Sequence, residues 1–136
     1  MKALIIEDCP DTAHMVHLIL SRYGDCDIAE DGYEGLDKIS NAWNINDPYD
    51  VIVLDVMMPN MNGLETLKIL REKEEQRGMG GILGTKVVML TALDDDDTVS
   101  EAVSLGCEGY VSKTQGVRKV IEKLKAFGII PEDHEE

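Results

Sequence analysis

The fold is decided by the stretch Asp50-Val-Ile-Val-Leu-Asp55, in which four consecutive apolar residues stand between two aspartates. A short, nearly continuous run of β-branched and aliphatic residues is typical of a strand covered on both faces, as in a parallel sheet. Similar runs recur on both sides of this stretch, so that five strands are predicted. The other four are Ala3-Leu-Ile-Ile-Glu7, Cys26-Asp-Ile-Ala29, Lys86-Val-Val-Met-Leu-Thr91 and Gly109-Tyr-Val-Ser112.

Segments with helical spacing of apolar residues separate these strands. This alternation predicts an α/β fold, a doubly wound five-stranded parallel sheet with five helices and right-handed crossovers. The predicted helices cover 12–23, 32–43, 63–77, a segment that begins in the acidic run Asp94–Asp97 and ends at Gly106, and 117–127. The residues expected to face inward are Met15, Leu18 and Ile19 in the first helix, Leu64, Leu67 and Leu70 in the third, and Val120, Ile121 and Leu124 in the fifth.

The composition limits the classes of protein to which the chain can belong. Its 136 residues, 43% of them hydrophobic, match the length of one domain and supply enough apolar side chains for a core. No apolar run approaches the roughly 20 residues of a membrane-spanning helix. The net charge of −14 disfavours direct binding to nucleic acid, and three cysteines without CxxC spacing predict neither disulfides nor zinc. We therefore expect a cytoplasmic protein that contacts neither membrane nor nucleic acid.

Two segments interrupt the alternation of strands and helices. The glycine-rich stretch 75–84 predicts a surface loop inserted between the third helix and the fourth strand. At the C-terminus, an acidic tail predicted at residues 129–136 follows a single domain of residues 1–128.

Polar side chains stand where the predicted strands end. Glu7 and Asp8 follow the first strand, Asp55 ends the third, Thr91 ends the fourth and Lys113 follows the fifth. The carboxyl ends of parallel strands meet at one edge of a sheet, where ligands of such sheets bind. Three carboxylates in one pocket repel each other, and a hard divalent cation such as Mg²⁺ relieves that repulsion. A metal-binding acidic pocket is therefore predicted at this edge.

Four motifs at these strand ends occur together: Ile5-Ile-Glu-Asp8, Asp55-Val-Met-Met-Pro-Asn-Met-Asn-Gly63, Thr91-Ala92 and Tyr110-Val-Ser-Lys113. With them the chain resembles the receiver domains of two-component response regulators over roughly residues 2–127. Stand-alone chemotaxis-type and sporulation-type regulators are similar to it in size. The resemblance implies a flavodoxin-like sheet with the strand order 2-1-3-4-5.

The resemblance also implies a role for each residue of the predicted pocket. Asp55 matches the carboxylate that accepts a phosphoryl group from a sensor histidine kinase or a histidine phosphotransfer protein. Asp8 matches a direct ligand of Mg²⁺, Glu7 a ligand acting directly or through water, and Met57 a ligand through its backbone carbonyl. Lys113 matches the cation that pairs with Asp55 before transfer and with the phosphoryl group afterwards.

A conformational switch is implied as well. Thr91 and Tyr110 match a pair in which the threonine hydroxyl moves to the phosphoryl group and the tyrosine then turns inward. The fourth helix, fifth strand and fifth helix would contact an output protein, with the chain as a monomer or a phosphorylation-dependent dimer. Such a protein signals by binding and catalyses only its own phosphorylation and dephosphorylation.

The sequence departs from the family pattern at three positions. Thr114 follows Lys113 where most receivers have a proline, which predicts a less rigidly placed lysine. Met57 and Leu93, two residues beyond Asp55 and Thr91, are both apolar where the family tunes the attack of water on the acyl phosphate. We therefore expect apolar side chains there to modulate the lifetime of the phosphoryl group.

Other interpretations remain open for the chain and for individual residues. The main alternative function is a receiver-like interaction module that takes no phosphoryl group. Glu7 and Asp8 could merely cap the first helix, and His14 and His17, three residues apart, lack further residues for a metal site. A flavodoxin-like electron carrier is disfavoured by the acidic first turn, and a P-loop enzyme by the absence of a GxxxxGK motif.

Overall fold

The computed structural model describes residues 1–80 and 84–132, and a sheet of five parallel strands in the order β2-β1-β3-β4-β5 forms its centre. This order and the predicted α/β class are therefore confirmed. The strands are β1 (Lys2–Ile6), β2 (Asp25–Ala29), β3 (Val51–Leu54), β4 (Lys86–Thr91) and β5 (Gly109–Ser112). The helices are α1 (Pro10–Leu20), α2 (Gly32–Asn44), α3 (Gly63–Gln76), α4 (Asp96–Ser104) and α5 (Arg118–Ala126), and a 3₁₀ turn (Lys113–Gln115) links β5 to α5.

The helices cover both faces of the sheet, because alternate residues of each strand point to opposite sides. On one face, Ile5, Val53 and Val88 pack with the helices α1 and α5. On the other, Leu54 and Met89 pack with α2, α3 and α4. The central strands β1 and β3 are consequently buried along most of their length, which explains their continuous apolar runs.

Backbone pairing brings the ends of β1 and β3 side by side. The Asp55 N–H donates to the Ile6 carbonyl over 3.1 Å, and the Glu7 N–H donates to the Ala29 carbonyl over 3.0 Å. The two residues that follow these strands therefore leave the sheet at one edge.

The first helix differs from its prediction in both its start and its buried face. It begins at Pro10, which suits the first helical turn because proline lacks an N–H. Its inward residues are Ala13, Val16 and Leu20, whereas Met15 and Leu18 are exposed. The predicted stripe of Met15, Leu18 and Ile19 was therefore wrong, except that Ile19 packs partly against the core. Two apolar stripes compete on this helix, and the smaller side chains of Ala13 and Val16 lie against the sheet.

The inward faces predicted for two other helices are confirmed. Leu67 and Leu70 of α3 are buried, and Leu64 is partly buried. The inward residues of α5 are Val120, Ile121 and Leu124, as expected. In the fourth helix, the acidic run supplies the N-cap, since the Asp95 carboxylate accepts the Thr98 N–H over 3.1 Å.

The two interrupting segments are only partly described. α3 continues through Gln76, so the first two residues of the predicted loop are helical, and residues 81–83 lie outside the described residues. Residues 133–136 of the predicted tail also lie outside them, while Ile130 at its start is buried against the layer of α1 and α5. In the described part of the chain, no helix combines the length and apolarity needed to cross a membrane.

Candidate functional site

Three carboxylates converge at the carboxyl ends of β1 and β3. Glu7 and Asp55 are buried, with 4% and 3% of their surface exposed, whereas Asp8 is exposed. One oxygen from each of the three side chains lies within 4.8 Å of the others. The structure therefore brings Glu7, Asp8 and Asp55 together as the sequence predicts.

Lys113 reaches this cluster from the end of β5. Its ammonium lies 3.2 Å from Asp55 Oδ2 and 3.0 Å from Glu7 Oε1. The pairing with Asp55 was expected from the resemblance, while the pairing with Glu7 was not. Since one ammonium faces three carboxylates, the pocket keeps an excess of negative charge when all of its groups are ionised.

Burial and the neighbouring charges change the pKa of two groups in this pocket. Burial raises the pKa of Glu7 to about 7, although hydrogen bonds from Lys113 and from the Cys9 N–H act in the opposite direction. Burial also lowers the pKa of the Lys113 ammonium, but its contacts with Glu7 and Asp55 more than offset that effect, and the net pKa is raised. The lysine therefore stays charged, and a further cation beside Glu7 would favour the ionised form of that carboxyl.

The donor set suits a hard divalent cation. Mg²⁺ binds oxygen at 2.0–2.1 Å, so that ligands on opposite sides of the ion lie about 4 Å apart. The spread of the carboxylate oxygens, within 4.8 Å, is close to that span. One exposed and two buried carboxylates also leave room for the waters that Mg²⁺ retains. Glu7, Asp8 and Asp55 therefore fit the ion. Asp55 Oδ1 also accepts a hydrogen bond from the Met57 N–H over 3.1 Å.

The loop after β3 wraps closely around Asp55. A side chain at Gly63 would place its Cβ 2.1 Å from the Asp55 carbonyl oxygen, so glycine is required there. Beside Asp55, a cleft of about 460 Å³ is lined by mostly apolar residues. They are Val56, Met57, Met58, Pro59 and Leu93, with Asp8 and Asn62 as the polar members.

Thr91 and Tyr110 both contact the backbone of Leu93. The Leu93 N–H donates to the Thr91 hydroxyl over 3.3 Å, and the Tyr110 hydroxyl donates to the Leu93 carbonyl. Thr91 is fully buried and Tyr110 partly buried, and burial raises the pKa of Tyr110 to about 12, so that the hydroxyl keeps its proton. The two residues are thus linked through one peptide segment.

The turn that positions Lys113 was not predicted from the sequence. The 3₁₀ turn at Lys113–Gln115 carries a capping box, in which Ser112 accepts the Thr114 N–H and Gln115 accepts the Ser112 N–H. The pattern Ser112-Lys-Thr-Gln115 matches the S-x-x-Q signature of this motif, so the signal was present in the sequence.

The remaining candidates do not join the site. His17 contacts the Cys26 carbonyl over 3.0 Å, and His14 is exposed on α1. Among the described residues, the one group of potential metal ligands is that of Glu7, Asp8 and Asp55. All three cysteines are free thiols, as the sequence predicts.

Comparison with known proteins agrees with this geometry. Residues 3–125 match the sequence profile of the response regulator receiver domain. The response regulator ArlR of Staphylococcus saprophyticus is 29% identical over 127 residues, which are 93% of this chain and 51% of the relative. The receiver domain of the Francisella response regulator 1452 is 29% identical, with a TM-score of 0.74 over 92% of this chain and 93% of that one. The chemotaxis protein CheY4 of Vibrio cholerae is 26% identical, with a TM-score of 0.76 over 92% and 96%.

The match to the family extends over nearly the whole chain, whereas the match to ArlR covers only half of that protein. The chain spans about half the length of the ArlR proteins that it resembles. Because the profile matches residues 3–125 and the fold and strand order agree with it, the chain belongs to the response regulator receiver domain family.

Proposed function

We propose that the chain accepts a phosphoryl group on Asp55 and uses it as a reversible signal in a two-component system. The observation that carries the proposal is the position of Lys113, whose ammonium contacts both Asp55 and Glu7 beside the exposed Asp8. Three carboxylates thus share one ammonium, an excess of negative charge that favours binding of a divalent cation.

In the proposed reaction, one Asp55 carboxylate oxygen attacks the phosphorus atom of a phosphohistidine. The new O–P bond forms as the P–N bond breaks, and the imidazole nitrogen keeps the electron pair of the broken bond, while a proton already on the other ring nitrogen makes the leaving imidazole neutral. The product is an acyl phosphate on Asp55 and a neutral histidine on the donor. Lys113 stabilises the charge on the phosphoryl oxygens, since its ammonium already lies 3.2 Å from Asp55.

Glu7, Asp8, Asp55 and the backbone carbonyl of Met57 are the proposed ligands of Mg²⁺. When bound, this ion neutralises negative charge on the phosphoryl oxygens during transfer. The fit of the three carboxylates to the ion supports this assignment.

Thr91 and Tyr110 are the proposed switch residues. Movement of the Thr91 hydroxyl toward the phosphoryl group would break its hydrogen bond with the Leu93 N–H. Because Tyr110 donates to the carbonyl of the same residue, its hydrogen bond would be disturbed at the same time. Phosphorylation would thereby change the surface of α4, β5 and α5, which we propose as the contact for an output protein.

Incorporation of phosphate from phosphoramidate, followed by intact mass spectrometry with and without Mg²⁺, tests the proposal. We expect one phosphoryl group on the wild-type chain, dependent on Mg²⁺, and none on Asp55→Asn. Asp50→Asn is the matched control, because Asp50 precedes the same strand at the opposite edge and should leave the reaction intact.

A wild-type chain that gains no phosphoryl group under these conditions would refute the proposal. The phosphorylation-independent interaction module would then be the better account of the same fold.

A further inference from the structure

The turn that follows β5 is closed by three side chains of its own. Ser112 Oγ accepts the Thr114 N–H over 3.3 Å and lies 2.8 Å from the Thr114 hydroxyl. The Gln115 side-chain carbonyl accepts the Ser112 N–H over 2.9 Å. Gly116, with φ of 94°, then ends the turn in a conformation that favours glycine. Lys113 therefore lies inside a ring of hydrogen bonds made by its neighbours on both sides.

These hydrogen bonds lie between the sheet and solvent. Ser112 is buried, with 6% of its surface exposed, whereas its partners Thr114 and Gln115 are exposed. Because one partner of each hydrogen bond is accessible to water, these bonds add little to stability. The geometric consequence of the turn is instead the path of the backbone at Lys113, the residue whose side chain enters the carboxylate pocket.

The Lys113 side chain has four flexible bonds, and its ammonium contacts two residues that follow different strands. A fixed backbone at Lys113 would therefore help to hold the ammonium in place. Its ammonium lies 3.0 Å from Glu7 and 3.2 Å from Asp55, which follow β1 and β3, whereas Lys113 itself follows β5. In the strand order, β4 and β3 lie between β5 and β1. A small rotation of the backbone at Lys113 would be amplified along the side chain and would separate the ammonium from both carboxylates.

We propose that Ser112, Thr114 and Gln115 are positioning residues that fix the Lys113 ammonium at Asp55 for phosphoryl transfer. This inference rests on the proposed function of Asp55 and replaces the expectation that Thr114 leaves the lysine loosely placed. The hydrogen-bonded turn supplies the rigidity at this position through the side chains of Ser112, Thr114 and Gln115.

The test compares Gln115→Leu and Thr114→Val with wild type in two measurements. The first is the rate constant for phosphorylation at saturating phosphoramidate and Mg²⁺, which we expect to fall by about threefold to tenfold in Gln115→Leu. The concentration of phosphoramidate at half-saturation should change less than the rate constant, because the hydrogen bonds of the Thr114 and Gln115 side chains are to Ser112 and not to the carboxylates of the pocket. Thr114→Val, which removes one of the three contacts, should show a smaller loss in the same direction.

The second measurement is Mg²⁺ binding by calorimetry, without any phosphodonor. Lys113 competes with a cation for Glu7 and Asp55, so a displaced lysine should tighten Mg²⁺ binding by about threefold. A general loosening of the fold would weaken both phosphorylation and Mg²⁺ binding. Opposite changes in the two quantities therefore distinguish positioning from stability.

Conservative variants and a matched control complete the experiment. Gln115→Glu and Thr114→Ser keep the accepting oxygen and the hydroxyl, and both should restore the wild-type values to within about twofold. Thr85→Val removes a threonine hydroxyl bonded to a backbone carbonyl at the opposite edge of the sheet, and should lower only the melting temperature.

The inference is overturned if Gln115→Leu matches wild type in both rate and Mg²⁺ affinity, or if both fall together. A wild-type chain that takes no phosphoryl group refutes the proposed function alone, since the calorimetric comparison still shows whether the turn places Lys113 at the carboxylates.

Discussion

Two clusters of charged side chains lie at opposite edges of the sheet, and they differ in how completely the carboxylates are paired with a cation. At the amino-terminal edge, Arg71 of α3 donates to Glu74, Glu108 and the carbonyl oxygens of Thr85 and Gly106. These five hydrogen bonds equal the number of N–H groups in a guanidinium. The fully buried Glu74 also accepts the Thr85 N–H over 2.8 Å. This cluster has no donor left for a ligand.

The carboxyl-terminal edge presents the opposite situation. Glu7, Asp8 and Asp55 share a single ammonium, that of Lys113, and the exposed Asp8 is in neither of its ion pairs. Excess negative charge destabilises the fold but favours binding of a cation. The two clusters therefore differ in whether every carboxylate is paired with the cation, as in the first, or one is left outside the ion pairs, as in the second.

Removal of one partner from each cluster should therefore change stability in opposite directions. Arg71→Leu leaves the Glu74 carboxylate buried without its cation, and we expect a loss of about 3–5 kcal/mol in the free energy of unfolding. Urea denaturation measures the loss. The matched control is Arg77→Leu, since Arg77 stacks on Trp43 at 4.7 Å and ends the same helix without contacting a buried carboxylate.

The control should lose only about 1 kcal/mol. A double variant, Arg71→Leu with Glu74→Leu, should recover much of the stability, because the uncompensated charge is then absent. Equal losses in Arg71→Leu and Arg77→Leu would show that the saturated cluster is not the structural element that its geometry indicates.

At the functional edge, Asp55→Asn should stabilise the protein in the absence of Mg²⁺. The substitution removes one of three crowded carboxylates and leaves the pair of Glu7 and Lys113, so we expect a gain of about 0.5–2 kcal/mol. The same urea denaturation measures it. Asp50→Asn, whose carboxylate accepts the Lys2 N–H over 2.8 Å, should show no gain. Destabilisation by Asp55→Asn would contradict the view that repulsion is stored in this pocket.

The contrast between the clusters also explains what the sequence could predict. The clustering of Glu7, Asp55 and Lys113 could be predicted because each follows a strand, and the strands are evident from their apolar runs. Arg71 and Glu74 were not found, since the polar stretch Arg71-Glu-Lys-Glu-Glu75 resembles a solvated helix face. Yet Leu67, Leu70 and Glu74 are spaced as one buried stripe, and that spacing placed Glu74 inward.

Two further features depended on tertiary contacts. The buried face of α1 could not be assigned because apolar residues occur on two sides of that helix, and only packing against the sheet selects Ala13 and Val16. Lys113 and Glu7 follow strands that are far apart in the sequence. The spacing of residues along the chain does not show how far a lysine side chain extends across the sheet, so this contact could not be predicted. The fold was thus predictable in outline, as was the clustering of Glu7, Asp8 and Asp55 at one edge of the sheet, whereas the pairing of Lys113 with Glu7 was not.

Mg²⁺ should stabilise the folded protein by binding to the carboxylates at the carboxyl-terminal edge of the sheet. At a concentration ten times its Kd, the ion should add about 1.4 kcal/mol to the free energy of unfolding, provided that the unfolded chain does not bind it. Denaturation with and without Mg²⁺ measures the difference in wild type and in Asp55→Asn. The variant loses a proposed ligand and should gain much less, whereas an equal gain in both would place the ion elsewhere.

The stabilisation by Mg²⁺ should also depend on pH. The pKa of Glu7 is raised from 4.5 to about 7, so the folded state binds this proton more tightly than the unfolded chain does. Without Mg²⁺, the free energy of unfolding should therefore fall as the pH rises from 4.5 to about 7. Since the ion requires an ionised Glu7, its contribution should grow over the same range. Glu7→Gln should abolish both trends.

The smallest expected effect concerns the apolar cleft beside Asp55. Met57 is 55% exposed and lines this cleft together with Leu93, so that water reaching an acyl phosphate on Asp55 passes side chains that cannot hydrogen-bond to it. Met57→Asn introduces an amide that can orient such a water. We expect loss of the phosphoryl group to accelerate by about threefold, equivalent to ~0.7 kcal/mol in activation free energy.

The decay of the phosphorylated chain, followed by intact mass after removal of the donor, measures this rate. Met15→Asn is a matched control, because Met15 on α1 is 52% exposed and does not line the cleft. Its decay should equal that of wild type. If Met57→Asn also decays at the wild-type rate, the apolar cleft does not limit the attack of water on the acyl phosphate.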